Sequence, residues 1–220
     1  MDCRKPLYIR TVMKMFCWVF LSLFPVLAFA QDYRQKVTMD PDRAYLSMFN
    51  SLKSDRYRQI STVFANLESL TEELGNKENV DFNSEMVSAL KNGDHDQVVY
   101  LLLRIISSDI NDRLSYLPAE LETKKYSRAK RRIRMTFTTY LLMIPYVKEN
   151  PSVKSWDVKL KFKNVVSVVE TSARLKTDQR QEAIETMKGD IGAIADALRL
   201  SVGNQAYFRF KTAAEVLAVK

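Results

Sequence analysis

The chain has two cysteines, one histidine and five glycines in 220 residues, and each shortage removes a class of chemistry. Both cysteines, Cys3 and Cys17, fall within the first thirty residues. Beyond Ala30 there is no thiol for a disulfide, a nucleophile or a cysteine-ligated metal. The single histidine, His95, cannot supply the paired Glu-x-x-His motifs of a di-iron bundle, and the Cys-x-x-Cys-His signature of covalent haem is absent. A haem held between His95 and one of Met39, Met48, Met86, Met135, Met143 or Met187 is formally compatible, but methionine at helical spacing ordinarily fills core. No Gly-x-Ser-x-Gly elbow and no glycine-rich phosphate loop occur. Carboxylate pairs such as Glu72-Glu73 sit on polar helix faces, without apolar surroundings to raise a pKa. No catalytic, cofactor-binding or metal-ligating residue is assigned, and no cofactor is expected.

Five glycines and six prolines are also few for an all-β chain, which needs many turns. The expected fold class is all-α, a single-domain antiparallel helical bundle with short connections.

The first thirty residues read as a cleavable signal peptide. Arg4, Lys5, Arg10 and Lys14 precede the apolar run Phe16 to Leu27, and Ala28-Phe29-Ala30 places small residues where a signal peptidase needs them. The apolar run is shorter than the roughly 20 residues that span a bilayer, and Pro25 interrupts it. A retained anchor is the alternative. Met13 or Met15 would also open a complete signal. Removing the four basic residues and one acid of residues 1–30 from the chain's 34 and 26 leaves 30 and 25, a net charge of +5 over residues 31–220. The only Asn-x-Ser/Thr triplet, Asn150-Pro-Ser152, is disqualified by its proline, which favours a bacterial envelope over a eukaryotic secretory route.

Along residues 31–220, Asp40-Pro41 reads as an N-cap followed by proline at the first helical position. Tyr45, Met48, Phe49 and Leu52 make a first apolar stripe, which resumes at Ile60 and runs to Leu74, either as one long helix or as two with a kink near Ser54. Gly75 ends it, Asn76 to Asn83 reads as loop, and a short helix from Ser84 stops at Asn92-Gly93. Asp94 caps the next helix, with Gln97 placed for a capping box. Val98 to Ile106 is apolar except for Arg104, the pattern of a central helix. Its narrow polar side, Gln97, Arg104, Ser108 and Asn111, is expected to face water or a polar groove. His95, between Asp94 and Asp96, belongs to the cap and first turn rather than to a metal site.

Pro118 opens a helix predicted to continue through Ile144, with Tyr126, Ala129, Ile133, Phe137, Tyr140 and Ile144 on one buried face and Pro145 ending it. Trp156 to Lys163 alternates strictly, a strand signature, yet the segment runs on into Asn164 to Leu175 without turn residues and is read as helix. A hairpin pairing it with Phe208 to Lys211 is the alternative. Ile184, Met187, Ile191, Ile194 and Leu198 form a heptad-like seam beside Gly189 and Gly192, which would admit a close helix neighbour. A terminal helix is expected over 206–219.

The feature with functional content is the run Lys124 to Arg134, in which Lys124, Lys125, Arg128, Lys130, Arg131, Arg132 and Arg134 are basic and no residue is acidic. On one continuous helix they form a cationic face opposite the Tyr126-Ile133-Phe137 stripe, so replacing Arg128, Arg131 and Arg132 by glutamine should spare the fold. The bland reading is a solvated face balanced by acids such as Glu68, Glu72, Glu73 and Glu78. The functional reading is an anionic partner: an envelope component such as lipid phosphate, or an acidic protein surface, with peripheral membrane contact included. Export disfavours nucleic acid. The sequence therefore suggests a noncatalytic, exported binding or scaffolding protein of the bacterial periplasm or secreted fraction. A cofactor-carrying bundle or a small envelope hydrolase is the alternative.

Overall fold

A computed structural model describes residues 39–146, 155–202 and 210–218. The expected signal peptide, the Asn150-Pro-Ser152 triplet, Phe208 and the start of the expected terminal helix lie outside them. The described residues form an all-α helical bundle without strands. In chain order the helices are α1 Pro41–Leu52, α2 Tyr57–Phe64, α3 Glu68–Glu78, α4 Phe82–Asn92, α5 His95–Ser115, α6 Leu117–Glu122, α7 Tyr126–Met143, α8 Ser155–Thr171, α9 Thr177–Val202 and α10 Ala213–Ala218, with single 3-10 turns after α2, α7 and α8. The alternating Trp156–Lys163 segment is helical, within α8. No described helix is long and apolar enough to cross a membrane.

The central helix is α5, which packs against α1, α3, α4, α6, α7 and α9. Its Leu101, Leu102, Ile105, Ile106, Ile110 and Leu114 are all fully buried, each burial stabilising by about 1.5–3 kcal/mol. The seam Ile184, Met187, Ile191, Ile194 and Leu198 of α9 is buried as its spacing implies. Its glycines do something else. A Cβ built on Gly189 or Gly192 would meet nothing within 4 Å, so no helix among the described residues makes the close approach that these glycines would allow. Gly75 is the crowded position, because a Cβ there would fall 2.3 Å from the Val80 carbonyl oxygen.

Few glycines force an unusual way of ending helices. Residues in the left-handed region normally follow a helix as glycine. Here Gly93 does so after α4 (φ 66°), but Asp55, Asn79 and Lys124 take the same role with φ of 51°, 55° and 59°. At all four ends the next residue's N–H reaches back five residues to a helix carbonyl: Arg56 to Ser51 (2.9 Å), Val80 to Gly75 (3.0 Å), Asp94 to Ala89 (3.0 Å) and Lys125 to Glu120 (2.7 Å). These are Schellman-type closures. They correct two sequence boundaries. The helix expected to stop at Gly75 runs on to Glu78, and the helix expected over Pro118 to Ile144 is broken at Lys124 into α6 and α7. The closure at Gly93 also explains why Asp94 makes only half a capping box. Its carboxylate accepts from the Gln97 N–H at 3.0 Å, while its own N–H is taken by Ala89.

The polar side of α5 is covered rather than solvated. Ser108 and Asn111 are buried. The Ser108 hydroxyl donates to the Glu78 carboxylate of α3, and Arg104 sits 3.4 Å from the same carboxylate with its guanidinium 5.4 Å from the Phe82 ring centre.

Candidate anionic-partner surface

The break at Lys124 decides how the seven basic residues are arranged. Lys124 is in the left-handed turn and Lys125 is the N-cap of α7, so neither is part of the helical arc. The other five lie on α7. Its buried residues are Ala129, Ile133, Thr136, Thr139, Tyr140 and Met143, while Phe137 and Tyr126 are half-buried. The core face is thus rotated from the expected tyrosine-phenylalanine stripe toward the threonines. By the helical step of about 100°, that rotation carries Arg128 and Arg132 to the margin of the core.

There they meet Glu120 of α6, which is fully buried. Arg132 Nε lies 3.1 and 3.2 Å from its two carboxylate oxygens and a terminal nitrogen of the same guanidinium 2.8 Å from Oε1, a bidentate grip. Arg128 Nε approaches Oε1 at 3.1 Å. The Arg132 guanidinium also covers the Tyr116 ring at 4.4 Å from its centre. A buried carboxylate without such partners would be strongly destabilising, so Arg128 and Arg132 belong to the fold. Glutamine at 128 and 132 would remove these contacts, so the expectation that the substitutions at 128, 131 and 132 spare the fold is replaced by one of lost stability. Neutralisation comes from Glu120, not from the more distant acids that composition suggested.

Two further cations are committed elsewhere. Lys125 Nζ donates to the Val216 carbonyl of α10 at 2.8 Å. Arg134 pairs with Glu170 of α8 at 2.6 Å, and this hydrogen bond holds the Glu170 carboxyl below its usual range. Lys124, Lys130 and Arg131 remain, with no ion pair to any described residue. Lys124 and Arg131 are exposed and Lys130 is half-exposed. Arg131, Arg134 and Lys130 span about 100° of the outer surface of α7 by the helical step.

Sequence reasoning missed a second charged cluster. Arg113 of α5 donates through Nε to Asp109 at 2.9 Å and through its terminal nitrogens to Asp109 at 2.7 Å and Asp42 at 2.9 Å. Tyr45 donates its hydroxyl to Asp109 at 3.0 Å, and Thr139 of α7 donates to Asp42 at 2.6 Å. Burial pushes the Asp109 carboxyl up, partly opposed by Arg113, and burial together with Asp109 pushes Tyr45 well up. The cluster ties α1, α5 and α7 together with its charges and hydroxyls satisfied, a clamp rather than an open site. The i,i+4 pair Asp109/Arg113 was its sequence signal, hidden because the long-range partners Asp42 and Thr139 leave no periodic trace.

His95 lies 3.3 Å from the Tyr57 hydroxyl and 3.7 Å from Asp55. Among the described residues no group of three or more histidine, cysteine, aspartate or glutamate side chains is arranged to hold a metal ion. Met48, Met86, Met143 and Met187 are fully buried in the core. No protein-family model, curated protein or solved structure matches this chain.

Proposed function

We propose that the protein is an exported, noncatalytic binding or scaffolding protein of the cell envelope that meets an anionic surface through the outer face of α7. The observation supporting this reading is the division of labour within the basic run. Arg128 and Arg132 neutralise Glu120, and Lys125 and Arg134 have partners of their own. Lys124, Lys130 and Arg131 stand at the surface with no acid at ion-pair distance among the described residues, and only Lys130 is near enough to an acid, Glu170, to help hold its carboxyl down. Charges placed only for solubility would ordinarily intermix with acids. A cationic edge with no ion-paired acid attracts lipid phosphate or an acidic protein surface, and its attraction falls with salt.

The test is co-sedimentation with vesicles containing anionic lipid across a salt series, comparing the wild-type chain with K130Q/R131Q. Binding should fall as salt rises and should weaken in the variant at unchanged thermal stability. Salt-independent binding, or equal binding by variant and wild type, would reject the surface. The N-terminal residue of the protein recovered from its native host tests export separately, with Gln31 expected after cleavage.

A further inference from the structure

A second cationic locus lies between α1 and α2, on residues the basic run does not include. Arg43, Leu46, Ser47 and Asn50 follow one another at helical spacing on the outer face of α1, and Arg56 and Gln59 face them from the start of α2. Together they line a groove of about 350 Å³, within the size range of small-molecule sites. The closure at Asp55 sets Arg56 in place, since the Arg56 N–H is bound to the Ser51 carbonyl at 2.9 Å. Asp55 is the acid nearest in sequence, yet it does not line the groove, and its carboxylate lies 3.7 Å from His95. No carboxylate lines the groove at all. The side chains of Arg43, Ser47, Asn50, Arg56 and Gln59 make no hydrogen bond or ion pair with another described residue. Arg104, Arg113, Arg132 and Arg134, by contrast, each have a carboxylate within 4 Å.

We propose that this groove binds a phosphomonoester, with Arg43 and Arg56 taking the phosphate and Leu46 lying against its organic part. Two guanidinium forks carry a charge of +2, which matches a phosphate dianion better than a single carboxylate, and the planar fork fits phosphate oxygens bidentately. Ser47, Asn50 and Gln59 supply neutral donors for the remaining oxygens. Leu46 is 45% exposed, an apolar surface for the carbon skeleton. The site does not depend on the α7 surface. Its phosphomonoester has two sources, a free metabolite or the headgroup of a lipid such as phosphatidic acid.

The test titrates the isotope-labelled full chain with glycerol 3-phosphate at constant ionic strength, following backbone amide shifts. In parallel, its binding to phosphatidylcholine vesicles with and without phosphatidic acid is measured. Saturable shifts confined to residues 43–50 and 56–59 are expected. Arg43→Gln and Arg56→Gln should each weaken binding about tenfold, the loss of a charge-assisted contact. Asn50→Asp keeps both arginines but adds a carboxylate, and should weaken binding similarly even if an arginine variant fails to fold. K130Q/R131Q should leave the groove's affinity for glycerol 3-phosphate unchanged. Saturation by glycerol 3-phosphate assigns a free ester. Binding only to phosphatidic acid vesicles, lost in Arg43→Gln and Arg56→Gln, assigns the lipid headgroup. No saturable binding to either, or binding indifferent to all three groove substitutions, overturns the proposal.

Discussion

Replacing Arg132 by glutamine should unfold this protein more readily than any other substitution in the basic run. The glutamine keeps helix propensity and most of the length but removes the bidentate grip on Glu120, whose carboxylate is fully buried. Removing one partner of a buried ion pair costs about 3–5 kcal/mol. Arg128 remains 3.1 Å from Oε1, so the lower end applies, about 3 kcal/mol. Loss of the guanidinium over Tyr116 adds about 0.5–1 kcal/mol. For a chain of this size a combined loss of about 3.5–4 kcal/mol lowers Tm by about 7–16 °C. Urea unfolding followed by circular dichroism gives the free energy, and E120Q supplies the control, because it removes the charge that Arg132 serves. E120Q/R132Q should then cost less than the sum of the two single substitutions by at least about 1 kcal/mol. If R132Q lies within about 0.5 kcal/mol of wild type, or the two substitutions simply add, Glu120 is not held by this arginine and the assignment of Arg132 to the fold is wrong.

Lys124→Gly should stabilise the protein by about 1 kcal/mol, because a side chain at φ 59° strains a turn that glycine enters freely; the urea midpoint reads this directly, and a destabilised variant would contradict the closure described for α6. Alkaline pH should weaken the fold through its buried phenols. Tyr140 is pushed up to about 12 by burial, so the unfolded chain ionises first. Its contribution is intact below pH ~10 and is lost as pH rises toward about 12. Tyr140→Phe should flatten the fall of the urea midpoint above pH ~10, and an unaltered slope would count against burial as the cause.

The sequence was most legible where a periodic apolar pattern met a strong boundary residue. The α9 seam, the Val98 to Ile106 stretch, apolar but for Arg104, and the Asp40-Pro41 helix start are all found as read. The α8 segment shows why length outweighs local alternation, since Trp156 to Lys163 reads as a strand in isolation and as a helix once the turn-free continuation is counted. Boundaries failed where left-handed closure is made by Asn79 or Lys124, because neither residue type announces that conformation as glycine does. The cationic face was visible as composition but not as geometry. Which cations are paired with acids depends on Glu120 and Glu170, whose positions are set by packing between helices that no spacing rule links to the run. The groove lined by Arg43 and Arg56 was illegible for the same reason, as its two arginines come from opposite sides of a turn.

Glu120 has two attachments on one residue. Its carbonyl accepts the N–H that closes α6, while its carboxylate anchors Arg132 in the second turn of α7. Main chain and side chain therefore fix the angle between the two helices at a single point, and α7 cannot peel away without opening both. In hydrogen exchange, the amides of α6 and the first turns of α7 should open together as one cooperative unit. Lys130 and Arg131 are then held at a fixed spacing, and an anionic partner of the kind proposed would meet them with little ordering of the backbone.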